Sequence, residues 1–152
     1  MILENGWTIL FHGAISHQLR KLQDAADRAQ AKDPDGYERN ANVKLLRALS
    51  QLILKTIPEN PSREEYRQGK TLGDDHQHWR RAKIGRRFRL FFRYDSKTKV
   101  IAYAWVNDSE TLRSSGSKSD PYTVFRKMLA GGDPPDEWNT LIDHCTPDWR
   151  EP

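Results

Sequence analysis

Apolar positions recur with two different periods along this chain, and the change of period separates helical from extended segments. A short apolar run at 7–12 is typical of a buried strand, whereas residues 14–31 and 37–57 carry apolar side chains three or four positions apart, as helices do. The turn residues at 32–36 separate the two helical segments, and Pro58 is expected to end the second. The first part of the chain is therefore predicted to form one strand and two packed helices.

The next part of the chain changes to the two-residue period of β-strands. Strands are predicted at 79–84, 86–95 and 99–107, joined by short turns, and the third is apolar on both faces, so it is expected to be central in the sheet. A long polar loop at 108–120 leads to two C-terminal helices. This order of elements predicts an α+β domain.

The strand at 86–95 has one apolar face and one basic face. The positions on the basic face are Arg87, Arg89, Phe91 and Arg93. A two-residue turn at Gly85 and Arg86 would fold the preceding strand back so that Arg81 and Lys83 join this face. Like charges on facing strands repel, and a bound polyanion would relieve the repulsion. The pattern predicts a nucleic-acid surface, on which Phe91 is the aromatic residue expected to stack on a base.

The charge of the chain is concentrated around this strand. The formal net charge is only +4, but residues 76–130 hold 13 basic and 4 acidic residues, and residues 131–152 hold one basic and six acidic residues. A local excess of this kind is typical of a phosphate-binding face. Basic residues on edge strands also block aggregation, but one or two per strand suffice for that.

The bulk composition limits the remaining possibilities. A chain of 152 residues fits one domain, the single Cys145 fits a reducing compartment, and no apolar run is long enough for a membrane span, so the expected location is the cytoplasm. The "GKT" at 69–71 lacks the upstream glycine of a phosphate loop, and "HQH" at 76–78 supplies at most two metal ligands. No metal and no cofactor are therefore expected.

A second group of candidate residues follows the last predicted strand. Arg113 and Lys118 are isolated cations in the polar loop, and Tyr122 stands at the start of the next helix. Loops that leave a central strand often carry function. These residues are therefore candidates for the same site as the basic strand.

Several long motifs show a family resemblance that covers nearly the whole chain. They are "NGW" (5–7), "GKTLG" (69–73), "FRLFFRY" (88–94), "WVNDSETLR" (105–113), "DPYTVFRKML" (120–129) and "PPDEW" (134–138). The chain resembles the YhaV-type toxins of bacterial type II toxin–antitoxin systems, within the RelE-like superfamily. The resemblance implies a single RelE-like domain over 1–152, with two N-terminal helices packed on a twisted antiparallel sheet and C-terminal helices. It also implies an mRNA endoribonuclease that acts on translating ribosomes and is restrained by an AbrB-like (PrlF-type) antitoxin in the bacterial cytoplasm.

The resemblance further implies metal-free cleavage by the 2′-hydroxyl of the RNA itself. The residues that match the working positions of the superfamily are Lys83, Arg89, Arg113 and Tyr122. The two arginines suit the phosphate, and either Lys83 or Tyr122 suits proton transfer. The expected RNA contacts are Arg81, Arg86, Arg87, Phe91, Arg93 and Lys118. Two alternatives stay open: a non-catalytic nucleic-acid-binding domain, and a toxin with a different target.

Overall fold

An open sheet forms the centre of the fold. The structure, a computed structural model, describes residues 1–107 and 120–151, and six strands lie in these ranges. They are β1 (Ile2–Glu4), β2 (Trp7–His12), β3 (Arg80–Ile84), β4 (Phe88–Asp95), β5 (Val100–Val106) and β6 (Cys145–Thr146). Their spatial order is β1-β2-β5-β4-β3, and β6 pairs with the end of β2. The predicted α+β class is confirmed.

The sheet is mixed rather than antiparallel. The strands β3, β4 and β5 form the predicted antiparallel meander, but β2 pairs with β5 in parallel, so the prediction of an antiparallel sheet was wrong for this pair. Two helices and the first two strands of the meander lie between β2 and β5 in the chain. A connection of that length can cross over and bring the second strand back in the same direction as the first.

The first strand was missed in the sequence. It pairs with β2 through a two-residue turn in which Asn5 has φ 50° and Gly6 has φ 84°. Two successive positive φ values define the turn type that matches the twist of a hairpin, and Asn-Gly is the dipeptide that favours it. The "NG" at 5–6 was therefore the sequence signal for this hairpin.

Two helices cover one face of the sheet. The first, α1 (Gly13–Lys32), is capped by the His12 side chain, and the second, α2 (Ala41–Gln51), is capped by Asn40. Asparagine at this position accepts hydrogen bonds from the first amides of a helix, which otherwise lack partners. The core between the helices and the sheet includes the fully buried side chains of Ile9, Phe11, Ile15, Leu49, Phe92 and Tyr103.

The second helix continues past α2 and ends at Glu59, one residue after the predicted stop at Pro58. A π-helical segment (Leu52–Thr56) leads without a break into α3 (Ile57–Glu59), and Pro58, which has no amide hydrogen to donate, lies one residue before the helix ends. The hydroxyl of Tyr103 donates a hydrogen bond of 2.9 Å to the carbonyl of Ile53 in the π-helical segment. The sheet therefore contributes a buried partner to this irregular part of the helix.

The other face of the sheet is covered by α4 (Pro121–Ala130) and α5 (Trp138–Asp143). The core on this side includes Trp79, Phe91, Ala104, Trp105, Phe125 and Leu141. Buried side chains of β5 belong to both cores, which confirms the prediction that this strand is central. Among the helices described, none combines the length and the apolar character that a membrane span requires.

Candidate nucleic-acid interface

The β3–β4 hairpin brings the predicted basic residues together. Lys83 pairs with Arg89, and Arg81 pairs with Phe91, so these four side chains leave the same face of the sheet. The turn between the strands has three residues instead of the predicted two, because Ile84 pairs directly with Phe88. Gly85 opens this turn with φ 61°, a conformation that glycine adopts without steric cost.

The longer turn changes the position of two predicted strand residues. Arg86 and Arg87 lie in the turn and are exposed, whereas the strand prediction had placed Arg87 on the face of β4. Lys83 is also exposed and Arg89 is half-buried. The hairpin therefore presents a cluster of cations at its tip, which we call the basic tip: Lys83, Arg86, Arg87 and Arg89.

Two arginines of the hairpin hold backbone carbonyl groups. The Nη1 of Arg89 donates to the carbonyl oxygens of Phe88 (2.8 Å) and Gly85 (3.3 Å), across the turn. Arg81 is buried, with 8% of its surface exposed, and its Nη2 donates to the carbonyl of Arg67 at 3.2 Å. Arg81 therefore lies at the base of the hairpin, while Arg89 lies next to the basic tip.

Phe91 does not have the predicted role. Its side chain is fully buried and lies parallel to Phe125, with ring centroids 4.3 Å apart, and to Trp105, with centroids 6.0 Å apart. A side chain enclosed in this way offers no face to an incoming base. Its position on the basic face was read correctly, but helix α4 covers this part of the face, so Phe91 is a core residue.

Arg93 is likewise engaged within the fold. Its guanidinium lies over the rings of Trp79 (5.6 Å) and Trp138 (5.3 Å), and its Nη1 donates to the carbonyl of Asp136. Burial lowers the pKa of Arg93, although the carboxylates of Asp136 and Glu137 oppose this effect. The contact fastens the segment between α4 and α5 to the sheet, and the predicted RNA contact of Arg93 stays a prediction.

Tyr122 lies on the same face as the basic hairpin strands. Asp120 caps α4 by accepting hydrogen bonds from the amides of Tyr122 (2.9 Å) and Thr123 (3.3 Å). The Tyr122 ring packs edge-on against Phe91, with centroids 5.7 Å apart. Because Phe91 lies between Arg89 and Arg93 along β4 and opposite Arg81, Tyr122 stands over the basic face, half-buried.

Arg113 and Lys118 lie outside the described residues. The residues on either side of that segment are described, and both ends are close to the hairpin face. Asn107 contacts the backbone of β4, and Asp120 caps the helix that carries Tyr122. The predicted roles of Arg113 and Lys118 stay predictions.

Asn107 is a residue of the site that sequence reasoning missed. Its side chain is fully buried: Oδ1 accepts from the amide of Arg89 at 2.6 Å, and Nδ2 donates to the carbonyl of Arg87 at 2.8 Å. Beyond the end of β5, the side chain of Asn107 thus supplies hydrogen bonds to the backbone before and at the start of β4, in place of a further backbone pair. Asn107 therefore fixes the backbone from which Arg87 and Arg89 project, and an asparagine directly after an apolar strand was its only signal in the sequence.

A cleft of about 360 Å³ opens beside Asn107. Phe88 and Leu45 form part of its apolar wall, and Lys21 and Arg28 of α1 line it together with further polar residues. None of the described lining residues is acidic. These cations lie on a helix far from the basic strand in sequence, so the pattern of the strand gave no indication of them. They extend positive charge from the hairpin toward α1.

The basic tip has no acidic partner within the described ranges. All ion pairs closer than 4.0 Å in residues 1–107 and 120–151 involve other residues, so no described carboxylate neutralises these four cations. Like charges on facing strand positions, as at Lys83 and Arg89, destabilise a sheet. Guanidinium and ammonium groups held in this way can bind phosphate oxygens and stabilise negative charge that develops during phosphoryl chemistry.

Another polar cluster lies at the opposite end of β3 from the hairpin turn. The possible ligand atoms of His76, His78 and Asp136 lie within 4.8 Å of one another. Among the described residues, these three form a group that could hold a metal ion. The sequence had suggested at most two ligands from "HQH", because Asp136 lies far away along the chain. This cluster is separate from the basic tip.

Comparison with known proteins places the chain in a family. The family model described as "Toxin with endonuclease activity, of toxin-antitoxin system" matches residues 9–146. "Ribonuclease toxin YhaV" of Escherichia coli (strain K12) and "Toxin YhaV" of Escherichia coli O157:H7 are each 44% identical to the chain over 139 residues, which covers 90% of this chain and 90% of each relative. No solved structure matches the chain with significance. The chain therefore belongs to the YhaV family, toxins with endonuclease activity of toxin–antitoxin systems.

Proposed function

We propose that this protein is an mRNA endoribonuclease and that the β3–β4 hairpin, together with Tyr122, forms its active site. One observation carries the proposal: Lys83 and Arg89 face each other across the hairpin, on the face that Tyr122 overhangs, with no described acidic partner. The name of the K12 relative, a ribonuclease toxin, supports RNA as the substrate. The proposal treats 1–152 as one RelE-like toxin domain, in keeping with the resemblance.

The proposed chemistry uses the 2′-hydroxyl of the RNA as the nucleophile. This oxygen attacks the adjacent phosphorus, its proton passes to a base, and the 5′-oxygen of the next nucleotide leaves with a proton from an acid. Arg89, joined by Arg113, would neutralise the pentacovalent phosphate, because a guanidinium fork matches two phosphate oxygens and stays charged. Lys83 and Tyr122 are the proton-transfer groups. No metal is required in this scheme, since the RNA supplies the nucleophile and the cations supply the charge.

The surrounding cations would hold the RNA backbone. Arg86 and Arg87 are exposed in the turn and suit phosphates on either side of the cleaved bond, with Lys118 as a further contact. Arg81, buried at the base of the hairpin, would act through the electric field that it adds to this face. These contacts position the RNA and do not take part in the proton transfers.

We propose two partners for this protein. A toxin of a toxin–antitoxin system has an antitoxin, and we propose an AbrB-like (PrlF-type) one from the resemblance. We also propose that cleavage occurs on translating ribosomes, in the bacterial cytoplasm. Translation exposes single-stranded mRNA, the form of RNA that a shallow basic surface can reach.

The test is cleavage of an mRNA by the purified protein in the presence of a chelator, with and without translating ribosomes. The expected products carry 2′,3′-cyclic phosphate or 3′-phosphate ends. Arg89→Ala should slow cleavage by about 10²- to 10³-fold, the usual effect of removing a group that stabilises transition-state charge. RNA affinity should fall by about tenfold or less, since one phosphate contact among several is lost.

Lys44→Ala is the matched control, because Lys44 is an exposed cation on α2, on the opposite face of the sheet. It should cleave at the wild-type rate. If Arg89→Ala cleaves as fast as Lys44→Ala, the hairpin is not the active site. If the wild-type protein binds RNA but does not cleave it either with or without translating ribosomes, the basic face is a binding surface, as in the non-catalytic alternative.

A further inference from the structure

We propose that His76, His78 and Asp136 form a binding site for a divalent cation of the zinc class, separate from the basic tip. His76 and His78 precede β3, and Asp136 lies in the segment that joins α4 to α5. A cation bound by all three would cross-link the start of β3 to the C-terminal segment. Nothing in the proposed ribonuclease chemistry uses these residues, so the inference stands apart from the proposed function.

The spacing of the donor atoms fits a metal site. The Nδ1 of His76 lies 3.0 Å from Oδ1 of Asp136, and the Nε2 of His78 lies 2.9 Å from the same oxygen. Ligands about 2.0–2.1 Å from a tetrahedral zinc ion are separated by roughly 3.3 Å, so only small shifts would place a cation between these atoms. The Nδ1 of His76 and the Nε2 of His78 lie within 4.8 Å of each other.

The surroundings of Asp136 resemble the outer shell of a metal ligand. The indole Nε1 of Trp79 donates to Asp136 Oδ1 at 2.8 Å, and Arg93 holds the backbone carbonyl of the same residue. Partners of this kind orient a ligating carboxylate and are a regular feature of protein metal sites.

The donor set indicates which cation to expect. Two imidazole nitrogens and one carboxylate oxygen suit Zn²⁺ and similar borderline metals, whereas Mg²⁺ and Ca²⁺ prefer oxygen ligands alone. Because His78 is exposed, a fourth coordination position would face solvent and be filled by water. The ordinary alternative is that the two histidines only form hydrogen bonds with Asp136, in which case no bound metal would be detected.

In the first measurement, metal-stripped protein is titrated with Co²⁺ and binding is monitored by the visible absorption of the ion. This absorption becomes intense when Co²⁺ is bound in a low-symmetry four-coordinate geometry. The second is thermal unfolding with added ZnCl₂ in the absence of RNA. A bound ion that is absent from the unfolded chain should raise the Tm by about 5 °C or more at a hundredfold excess over its Kd. The Co²⁺ titration should reach saturation at one ion per protein.

Three variants make the assignment specific. His78→Ala and Asp136→Asn should each weaken metal binding by at least about tenfold, and Asp136→Asn keeps an acceptor for Trp79, so it separates metal binding from folding. His17→Ala removes an exposed histidine on α1 and should bind metal as the wild type does. Absence of a Co²⁺ band and of a Tm shift in the wild-type protein would overturn the proposal. Equal metal affinity in His78→Ala, Asp136→Asn and the wild type would also overturn it.

Discussion

Asn107 offers the sharpest test of how the basic hairpin is held. Asn107→Ala removes two buried hydrogen bonds to the backbone of β4. The amide of Arg89 would then lack a partner in a half-buried position, which costs about 1–3 kcal/mol, whereas the carbonyl of exposed Arg87 can turn to water at a cost below about 1 kcal/mol. We expect the free energy of unfolding to fall by about 2–3 kcal/mol.

Urea denaturation followed by tryptophan fluorescence measures this change. With a slope of about 2 kcal/mol per molar urea, typical of a small domain, the midpoint should fall by about 1–1.5 M without a change in slope. The control is Asn139→Ala, an exposed asparagine on α5, which should change stability by less than about 0.5 kcal/mol. If the midpoint of Asn107→Ala matches that of Asn139→Ala, the two hydrogen bonds do not anchor β4 and the reasoning is refuted.

Two further predictions concern buried polar groups. Tyr103→Phe removes the hydroxyl that bonds the π-helical carbonyl of Ile53, and should destabilise the protein by about 1–3 kcal/mol in the same urea assay; an unchanged midpoint would contradict this. Burial lowers the pKa of His12 below 6.5, and the nearby His144 adds to this effect, whereas Asp133 opposes it. The imidazole of His12 therefore takes up a proton less readily in the folded protein than in the unfolded chain. Stability is therefore complete above about pH 6.5 and falls as the pH drops below it. His12→Asn keeps a capping acceptor but does not titrate, so its loss of stability between pH 7.5 and 5.5 should be smaller than that of the wild type; equal losses would contradict the assignment.

The sequence was informative wherever a pattern is local. The two-residue period of β4 correctly separated Leu90 and Phe92 from Arg89 and Phe91, because alternation depends only on the pleat of the strand. It did not show what covers each face. The basic face is divided by α4, which buries Phe91 and leaves Lys83 exposed, and no property of the strand itself determines where a distant helix packs.

The elements that were missed depend on long-range contacts or on a single dipeptide. The parallel pairing of β2 with β5 and the approach of Asp136 to His78 join segments that are far apart in the chain, so periodicity contains no information on them. The hairpin of β1 depended on Asn5 and Gly6 alone. Arg93 was read as an RNA contact because its charge was visible in the sequence, whereas its two tryptophan neighbours become apparent only in three dimensions.

The burial of Phe91 changes its role in the proposed site. It is stacked on Phe125 of α4 and contacts Tyr122 one turn earlier on the same helix, while its own strand carries Arg89 two residues away. Phe91 therefore sets the distance between the helix that supplies the proposed proton-transfer tyrosine and the strand that supplies the proposed phosphate-binding arginine. Catalytic groups must be held closely in place to act together, and a close-packed aromatic stack provides such rigidity. Phe91 is thus a buried residue that holds Tyr122 and Arg89 in position in the proposed site.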